Sequence, residues 1–137
     1  MAPAAPMHLP TSIPASHPAN MNYLLVIVEE RGQRGQRSQA DGQAVYDSML
    51  GVAEELKREG KLRRVESLQS DDKSRRVQVR NGQPRFIDGP FTEAKEMVGG
   101  FFLVDCQSIE EAAEIAARCP AAGWATVEVR PVGPCWM

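Results

Sequence analysis

Two continuous runs of apolar residues predict the central strands of a sheet. Tyr23–Val28 and Phe101–Val104 have strand length and are rich in β-branched or aromatic side chains. A strand that is apolar at successive positions is typically buried on both faces. Two other segments, Arg75–Arg80 and Thr126–Arg130, alternate instead between valines and polar residues. Alternation with a period of two predicts two further strands whose faces differ in polarity.

The segment Gln43–Glu59 has the periodicity of an amphipathic helix, with apolar residues spaced four, three and four positions apart. This spacing places one apolar stripe against a sheet, and Asp41 is the expected N-cap. A second helix is expected to begin after Ser108, because Ser108 and Glu111 have the spacing of a capping box. The stripe of the first helix consists of Val45, Met49, Val52 and Leu56.

Short glycine-containing sequences mark the connections between these elements. Asn81-Gly82 is a strong hairpin signal, and it joins the strand at Arg75–Arg80 to a return arm at Gln83–Ile87. Asp88-Gly89-Pro90 then predicts a sharp turn. The paired glycines Gly99-Gly100 stand at the start of a strand, where they predict a bulge or the close approach of another backbone.

An irregular strand at Leu62–Leu68 completes the predicted order of strand, helix, strand, hairpin, strand, helix, strand. This order predicts an α+β fold of the ferredoxin-like βαββαβ type with one extra β-hairpin. Right-handed crossovers place both helices on one face of the sheet. The opposite face then carries apolar side chains and requires a cover.

Composition limits the classes of function. The chain has 137 residues, which suits one domain, and its formal net charge of −2 gives no general attraction to nucleic acid or anionic membranes. No apolar run approaches the roughly 20 residues that span a bilayer. The three cysteines are odd in number and lack C-x-x-C spacing, which is typical of free thiols in a reducing compartment. We therefore expect a cytoplasmic protein without nucleic-acid or membrane partners.

Both histidines, His8 and His17, lie in the N-terminal segment, so the body of the chain has no histidine for a catalytic triad or a metal site. We expect neither a metal nor another cofactor. Residues 1–20 hold five of the ten prolines and no lysine or arginine, which predicts a disordered extension rather than a secretory or transit signal. The domain is expected to cover residues 21–132, followed by a short tail at residues 133–137.

The stretch from Ile87 to Asp105 combines a turn, a cluster of charges and a glycine-aromatic strand start. Its sequence Asp88-Gly89-Pro90-Phe91 is followed by Glu93, by Lys95-Glu96 and by Gly99-Gly100-Phe101. In this order the residues resemble the signature of the DGPF proteins, a branch of the YCII-related family. The resemblance covers roughly residues 21–132, and it implies that the chain begins its domain at Met21.

This resemblance carries expectations that the residues alone do not provide. YCII-like proteins pair their sheets into a dimeric α/β barrel, which implies a homodimer. Relatives are described as pairing a histidine with an aspartate in a cleft, and because this chain has no such histidine, only Asp88 is carried over as a catalytic candidate. Genes of DGPF-like proteins are often associated with extracytoplasmic-function sigma factors, so the resemblance also implies a regulatory partner of this kind.

The candidate site therefore consists of Asp88 with the nearby charged residues and a tyrosine of the first helix. Carboxylates serve as acids or bases where burial or a neighbour shifts their pKa, and a lysine between them can hold an anion. The ligand expected there is an unidentified small molecule. The residues proposed to bind it are Tyr46, Glu93, Lys95 and Glu96.

Three other interpretations remain open. Asp88 can hold the turn through its carboxylate while its charged neighbours form a solvated surface. The segment Lys61–Arg85 holds eight basic residues and three acidic ones, which suits an acidic partner or a small anion. The chain can also be a purely structural dimer without small-molecule chemistry.

Overall fold

The computed structural model describes residues 20–136 of the chain. The extension predicted at residues 1–20 lies outside this range except for Asn20. Six strands and two α-helices are present in the described part. The strands are β1 (Met21–Glu30), β2 (Leu62–Ser67), β3 (Arg75–Arg80), β4 (Gln83–Asp88), β5 (Glu96–Cys106) and β6 (Thr126–Pro131), and the helices are α1 (Gln39–Arg58) and α2 (Ile109–Arg118).

The main sheet has four antiparallel strands in the order β2-β5-β1-β6, and β3 pairs with β4 in a separate two-stranded sheet. The predicted α+β class is thus confirmed, and the order agrees with a ferredoxin-like pattern. Asn81 and Gly82 join β3 to β4 with φ values of 52° and 75°. Positive φ at both central residues is the geometry that a tight two-residue hairpin requires.

The hydrophobic core lies between one face of the main sheet and the two helices. Leu25 of β1, Phe102 of β5 and Leu56 of α1 are almost fully buried, and they belong to one cluster with Ile115 of α2. Alternate residues of β1 point to the other face, where they are only half-buried. The expectation that β1 is buried on both faces is therefore wrong for a single chain, because both helices cover the same side.

The start of α1 differs from the sequence-based expectation. The helix begins at Gln39, and its N-cap is Ser38, whose Oγ accepts a hydrogen bond from the backbone N–H of Asp41 at 3.1 Å. Asp41 thus lies in the first turn, where its charge suits the positive end of the helix dipole. The predicted N-cap of α2 is confirmed, since Ser108 Oγ accepts from the N–H of Glu111 at 3.1 Å. The Glu111 carboxylate accepts from the N–H of Gln107 rather than from that of Ser108, so the reciprocal bond of a capping box is replaced by one to the preceding residue.

The cysteines are free thiols, as expected, and two of them are part of the core. Cys106 and Cys119 are buried, and burial raises the pKa of the Cys119 thiol to about 11. A thiol with a raised pKa holds little reactive thiolate near neutral pH. Within residues 20–136 no helix has the length and apolar character needed to cross a membrane.

Candidate functional site

A cavity of about 430 Å³ lies between α1 and the core face of the main sheet. Its walls come from α1, from β1, β2 and β5, and from the loop that joins β1 to α1. Most of the wall is apolar. The apolar side chains that line it are Ile27, Val45, Met49, Leu50, Val65 and Phe102.

One carboxylate is buried in the wall of this cavity. Glu29 follows Tyr23, Leu25 and Ile27 in the alternation of β1, so it points to the face that the helices cover, and only 2% of its surface is exposed. Arg34 Nε donates to Glu29 Oε1 at 2.5 Å. Because an isolated buried charge is very unfavourable, this ion pair is what allows a glutamate at that position.

Arg34 is itself held by the backbone of two other segments. Its Nη1 donates to the carbonyl oxygen of Leu68 at 2.9 Å, and its Nη2 lies 3.5 Å from the carbonyl oxygen of Gly99. Leu68 directly follows β2, and Gly99 lies in β5. The guanidinium thus joins β1, β2 and β5 at one end of the sheet, and it fixes the orientation of the Glu29 carboxylate.

A bulge in β5 makes room for this carboxylate. Ile27 pairs with Gly100 and Val28 pairs with Val98, so Gly99 has no residue opposite it in β1. A Cβ atom on Gly99 would lie only 2.5 Å from Oε2 of Glu29. The predicted bulge is therefore confirmed, and glycine is required at position 99 for the observed position of Glu29. The predicted approach of another backbone occurs at Gly100, where a Cβ atom would lie 2.7 Å from the backbone oxygen of Glu66.

Aromatic and cationic side chains form another part of the wall. The Arg37 guanidinium lies 4.5 Å from the centre of the Trp124 ring, a cation–π contact. Gln33 fixes this segment by donating from Nε2 to the carbonyl oxygen of Trp124 at 2.8 Å. Tyr46, one of the predicted ligand-binding residues, also lines the cavity and is exposed.

A second ion pair from the same loop lies at the base of the β3–β4 hairpin. Arg31 Nη1 and Nη2 donate to the two oxygens of Asp71 at 2.8 and 2.5 Å, and Arg31 Nε donates to the carbonyl oxygen of Ala94 at 2.8 Å. The N–H of Phe91 donates to Asp71 Oδ2 at 3.3 Å. The hydrogen bonds from Arg31 lower the pKa of Asp71 to about 2.

The signature turn is packed against this pair. A Cβ atom on Gly89 would lie 1.9 Å from the backbone oxygen of Asp71, so only glycine fits there. Phe91 is buried, and the Arg76 guanidinium lies 3.9 Å from the centre of its ring. These contacts explain the glycine and the aromatic residue of the signature as an anchor that attaches the hairpin to the main sheet.

The other predicted site residues surround the hairpin base and do not meet Tyr46. Asp88 Oδ1 accepts from Arg75 Nε at 2.8 Å, and its side chain is 75% exposed. Glu93 accepts from Arg76 Nη1 at 2.6 Å, and hydrogen bonds from its own backbone N–H and from Arg76 lower its pKa.

Lys95 and Glu96 follow at the start of β5. The Lys95 side chain is exposed, and its carbonyl oxygen accepts from the N–H of Arg31 at 2.8 Å. Glu96 lines a second cavity of about 520 Å³ next to the hairpin base, whereas Asp88 lines neither cavity. Within residues 20–136 no three His, Cys, Asp or Glu side chains are grouped so that they can hold a metal ion.

Sequence reasoning missed Glu29 and Trp124 as parts of this site. The sequence offers no signal for Glu29, because every residue from Tyr23 to Val28 is apolar and the inward alternation appears only in the structure. Charged residues at inward strand positions are uncommon unless they are paired. Arg34 belongs to a polar and aperiodic loop whose arginines, Arg31, Arg34 and Arg37, suit either an anion or a solvated surface, and the sequence does not indicate its pairing with Glu29.

Comparison with known proteins gives a family and one curated relative. An uncharacterized protein of Rhizobium meliloti (strain 1021) is 29% identical to this chain over 114 residues, which are 82% of this chain and 92% of the relative. The family model of the YCII-related domain matches residues 21–135. This match spans all six strands and both helices, and the chain therefore belongs to the YCII-related family.

Proposed function

We propose that the protein binds a small organic molecule in the cavity between α1 and the sheet. The observation that carries the proposal is a largely apolar cavity of about 430 Å³ at a helix–sheet interface. Protein interiors are close-packed, with few voids larger than a water molecule. Ligand sites, by contrast, are concave, mostly apolar, a few hundred Å³ in volume, and carry few polar groups. The α1 cavity has these properties.

The contacts of Asp88 and Glu93 also favour this cavity over the signature turn as the ligand site. Each of these carboxylates is exposed and paired with a surface arginine, Arg75 or Arg76. Such exposed pairs are typical of a solvated surface that helps to hold a turn. Of the five residues predicted from the sequence, Tyr46 is the one that lines the α1 cavity.

The proposal is tested by filling the cavity. Val45→Phe adds volume to a side chain that lines it, whereas Glu54→Phe adds the same ring to an exposed position of α1 outside the cavity. We expect indole to bind the wild-type protein and Glu54→Phe, and to bind Val45→Phe at least about tenfold more weakly, as measured by ligand-observed NMR. Equal binding to all three proteins would place the indole elsewhere and refute the proposal.

We further propose that two copies pair through the open face of the main sheet. Cross-strand partners form two adjacent rows on this face, each with two apolar residues between two charged ones. One row consists of Arg64, Leu103, Leu24 and Arg130, and the next consists of Glu66, Phe101, Val26 and Glu128. Rotation about a two-fold axis can place the arginine row of one copy over the glutamate row of the other.

The dimer is tested by its mass in solution. Light scattering at micromolar concentration should give twice the mass of the chain, and Val26→Asp should reduce it to that of one chain, because a carboxylate would enter the apolar centre of the interface. Ala113→Asp is the control, since it adds the same charge at an exposed position of α2, on the other face of the sheet. A monomeric wild-type protein would refute this proposal and leave the cavity proposal standing.

A further inference from the structure

We infer that the ligand of the α1 cavity is an uncharged molecule with a largely apolar body and one N–H or O–H group that donates to Oε2 of Glu29. The inference rests on the proposed function, since it names the class of molecule that the cavity binds. It is carried by the Glu29 carboxylate, by the space around it and by the charges in the cavity wall.

Only one of the two oxygens of the Glu29 carboxylate accepts a hydrogen bond from residues 20–136. A carboxylate accepts several hydrogen bonds through its two oxygens. Oε1 accepts from Arg34, whereas no hydrogen bond from residues 20–136 reaches Oε2. The Glu29 side chain is 3% exposed, so its surroundings offer little contact with bulk water. An acceptor in a cavity wall that receives no donor from its own chain offers a position for the donor of a bound molecule.

The backbone of β5 leaves space next to Oε2. The bulge at Gly99 removes the side chain that would collide with this oxygen, and both Glu29 and Gly99 line the cavity. Arg34 is held by the carbonyl oxygen of Leu68, so the carboxylate cannot easily turn away. An acceptor that is fixed in this way selects a donor by position, as specific ligand sites do.

The charges of the wall favour an uncharged donor. Glu29 and Arg34 already form a balanced pair, and the Arg37 guanidinium adds a positive charge to the wall, so a protonated amine would bring a further, uncompensated positive charge into a mostly apolar space. An anionic group next to Oε2 would lie beside the carboxylate of Glu29, which lines the cavity. A neutral N–H or O–H group satisfies Oε2 without adding charge, and the apolar wall contacts the rest of the molecule.

Four bicyclic probes of similar size test this inference. Indole carries a donor, indene replaces that N–H with a methylene group, benzofuran presents only an acceptor, and isoindolinium carries a positive charge. Their affinities are measured on the wild-type protein by ligand-observed NMR. We expect indole to bind about tenfold more tightly than indene or benzofuran, the ratio that corresponds to about 1.4 kcal/mol, and more tightly than isoindolinium.

Glu29→Gln should remove the preference for indole. Arg34 donates only, so it will hold the amide oxygen and leave the amide N–H₂ facing the place of Oε2. Indole and indene should then bind within about twofold of each other. The probe series on the wild-type protein needs no variant, so the inference stays testable even if Glu29→Gln does not fold.

The outcomes separate the two proposals. If none of the four probes binds the wild-type protein, the proposed function fails. If the probes bind but indole has no advantage over indene, or isoindolinium binds most tightly, the cavity binds ligands and the inferred ligand class is wrong. A preference for indole that persists in a folded Glu29→Gln protein would likewise refute the role of Oε2.

Discussion

Two arginines of one loop, Arg31 and Arg34, each pair with a carboxylate. The two pairs differ in the number of hydrogen bonds that the carboxylate accepts. Asp71 accepts three hydrogen bonds through both oxygens, two from Arg31 and one from the N–H of Phe91. Glu29 accepts one, from Arg34 to Oε1. The more buried carboxylate thus has the fewer donors.

This difference separates an anchor from a site. A carboxylate whose oxygens are both engaged by its own chain has no need of a ligand, and it attaches the hairpin to the main sheet. A buried carboxylate with a free oxygen beside a cavity has unused binding capacity, which is typical of functional positions. The signature turn, although it is the most distinctive stretch of the sequence, therefore belongs to the anchor.

The largest effect is expected for Gly89→Ala, which breaks the anchor. The new Cβ would lie 1.9 Å from the oxygen and 3.1 Å from the carbon of the Asp71 carbonyl group. Backbone atoms on both sides must then move, so we expect a loss of about 3 kcal/mol or more in the free energy of unfolding. Urea denaturation measures it, and a loss below about 1 kcal/mol would show that the hairpin base is not tightly packed.

Gly99→Ala makes the matching change at the site and should have a smaller effect on stability. Its closest contacts are the carboxylate end of Glu29 at 2.5 Å and Arg34 Nη2 at 3.1 Å, which are side-chain ends that can shift. We expect a loss of about 1–2 kcal/mol together with at least a tenfold loss of indole affinity. Full indole affinity in this variant would contradict the role of the Glu29 position.

Acid should weaken the anchor in a defined range. Because the pKa of Asp71 is lowered from 3.8 to about 2 in the folded protein, its contribution is present above pH 3.8 and is lost as the pH falls through about 2. Glu59 has a similarly low pKa of about 2 through its hydrogen bond with Arg118, so the wild type is compared with Asp71→Asn. The difference in their melting temperatures should shrink between pH 4 and pH 2, and a constant difference would argue against the ion pair.

The smallest effect is expected at Asp88. Its pair with Arg75 is exposed on both sides, and exposed pairs contribute little. Asp88→Asn and Asp88→Ala should each change the free energy of unfolding by less than about 0.5 kcal/mol and leave indole binding unchanged. A loss of indole binding in both variants would show that Asp88 contributes to the ligand site. It would contradict the assignment of the signature turn to the anchor.

Local patterns predicted the elements well, because their causes are local. The strand at β1, the N-cap at Ser108, the hairpin at Asn81-Gly82 and the bulge at Gly99-Gly100 each depend on residues close in sequence. The start of α1 was misplaced because Ser38 stands in a polar loop that also offered Asp41 as a cap.

The site and the anchor depend instead on contacts between distant segments. Arg31 and Asp71 are 40 residues apart, and Gly99 meets Glu29 only because β5 pairs with β1. The presence of a charged residue in the sequence could not show which carboxylate would accept hydrogen bonds through both of its oxygens. The signature residues stood out for their chemical types, whereas Glu29 only ends an apolar run in the sequence, and its inward direction is set by the packing of β1 in the sheet.

The central claim is that the ligand site is the α1 cavity and that the signature turn is an anchor. The most direct test is a map of backbone amide shifts during titration of the wild-type protein with indole. We predict that the largest shifts occur at Glu29, Arg34, Gly99 and Trp124, with little change from Asp88 to Glu96. Largest shifts between Asp88 and Glu96, with none around Glu29, would contradict the claim.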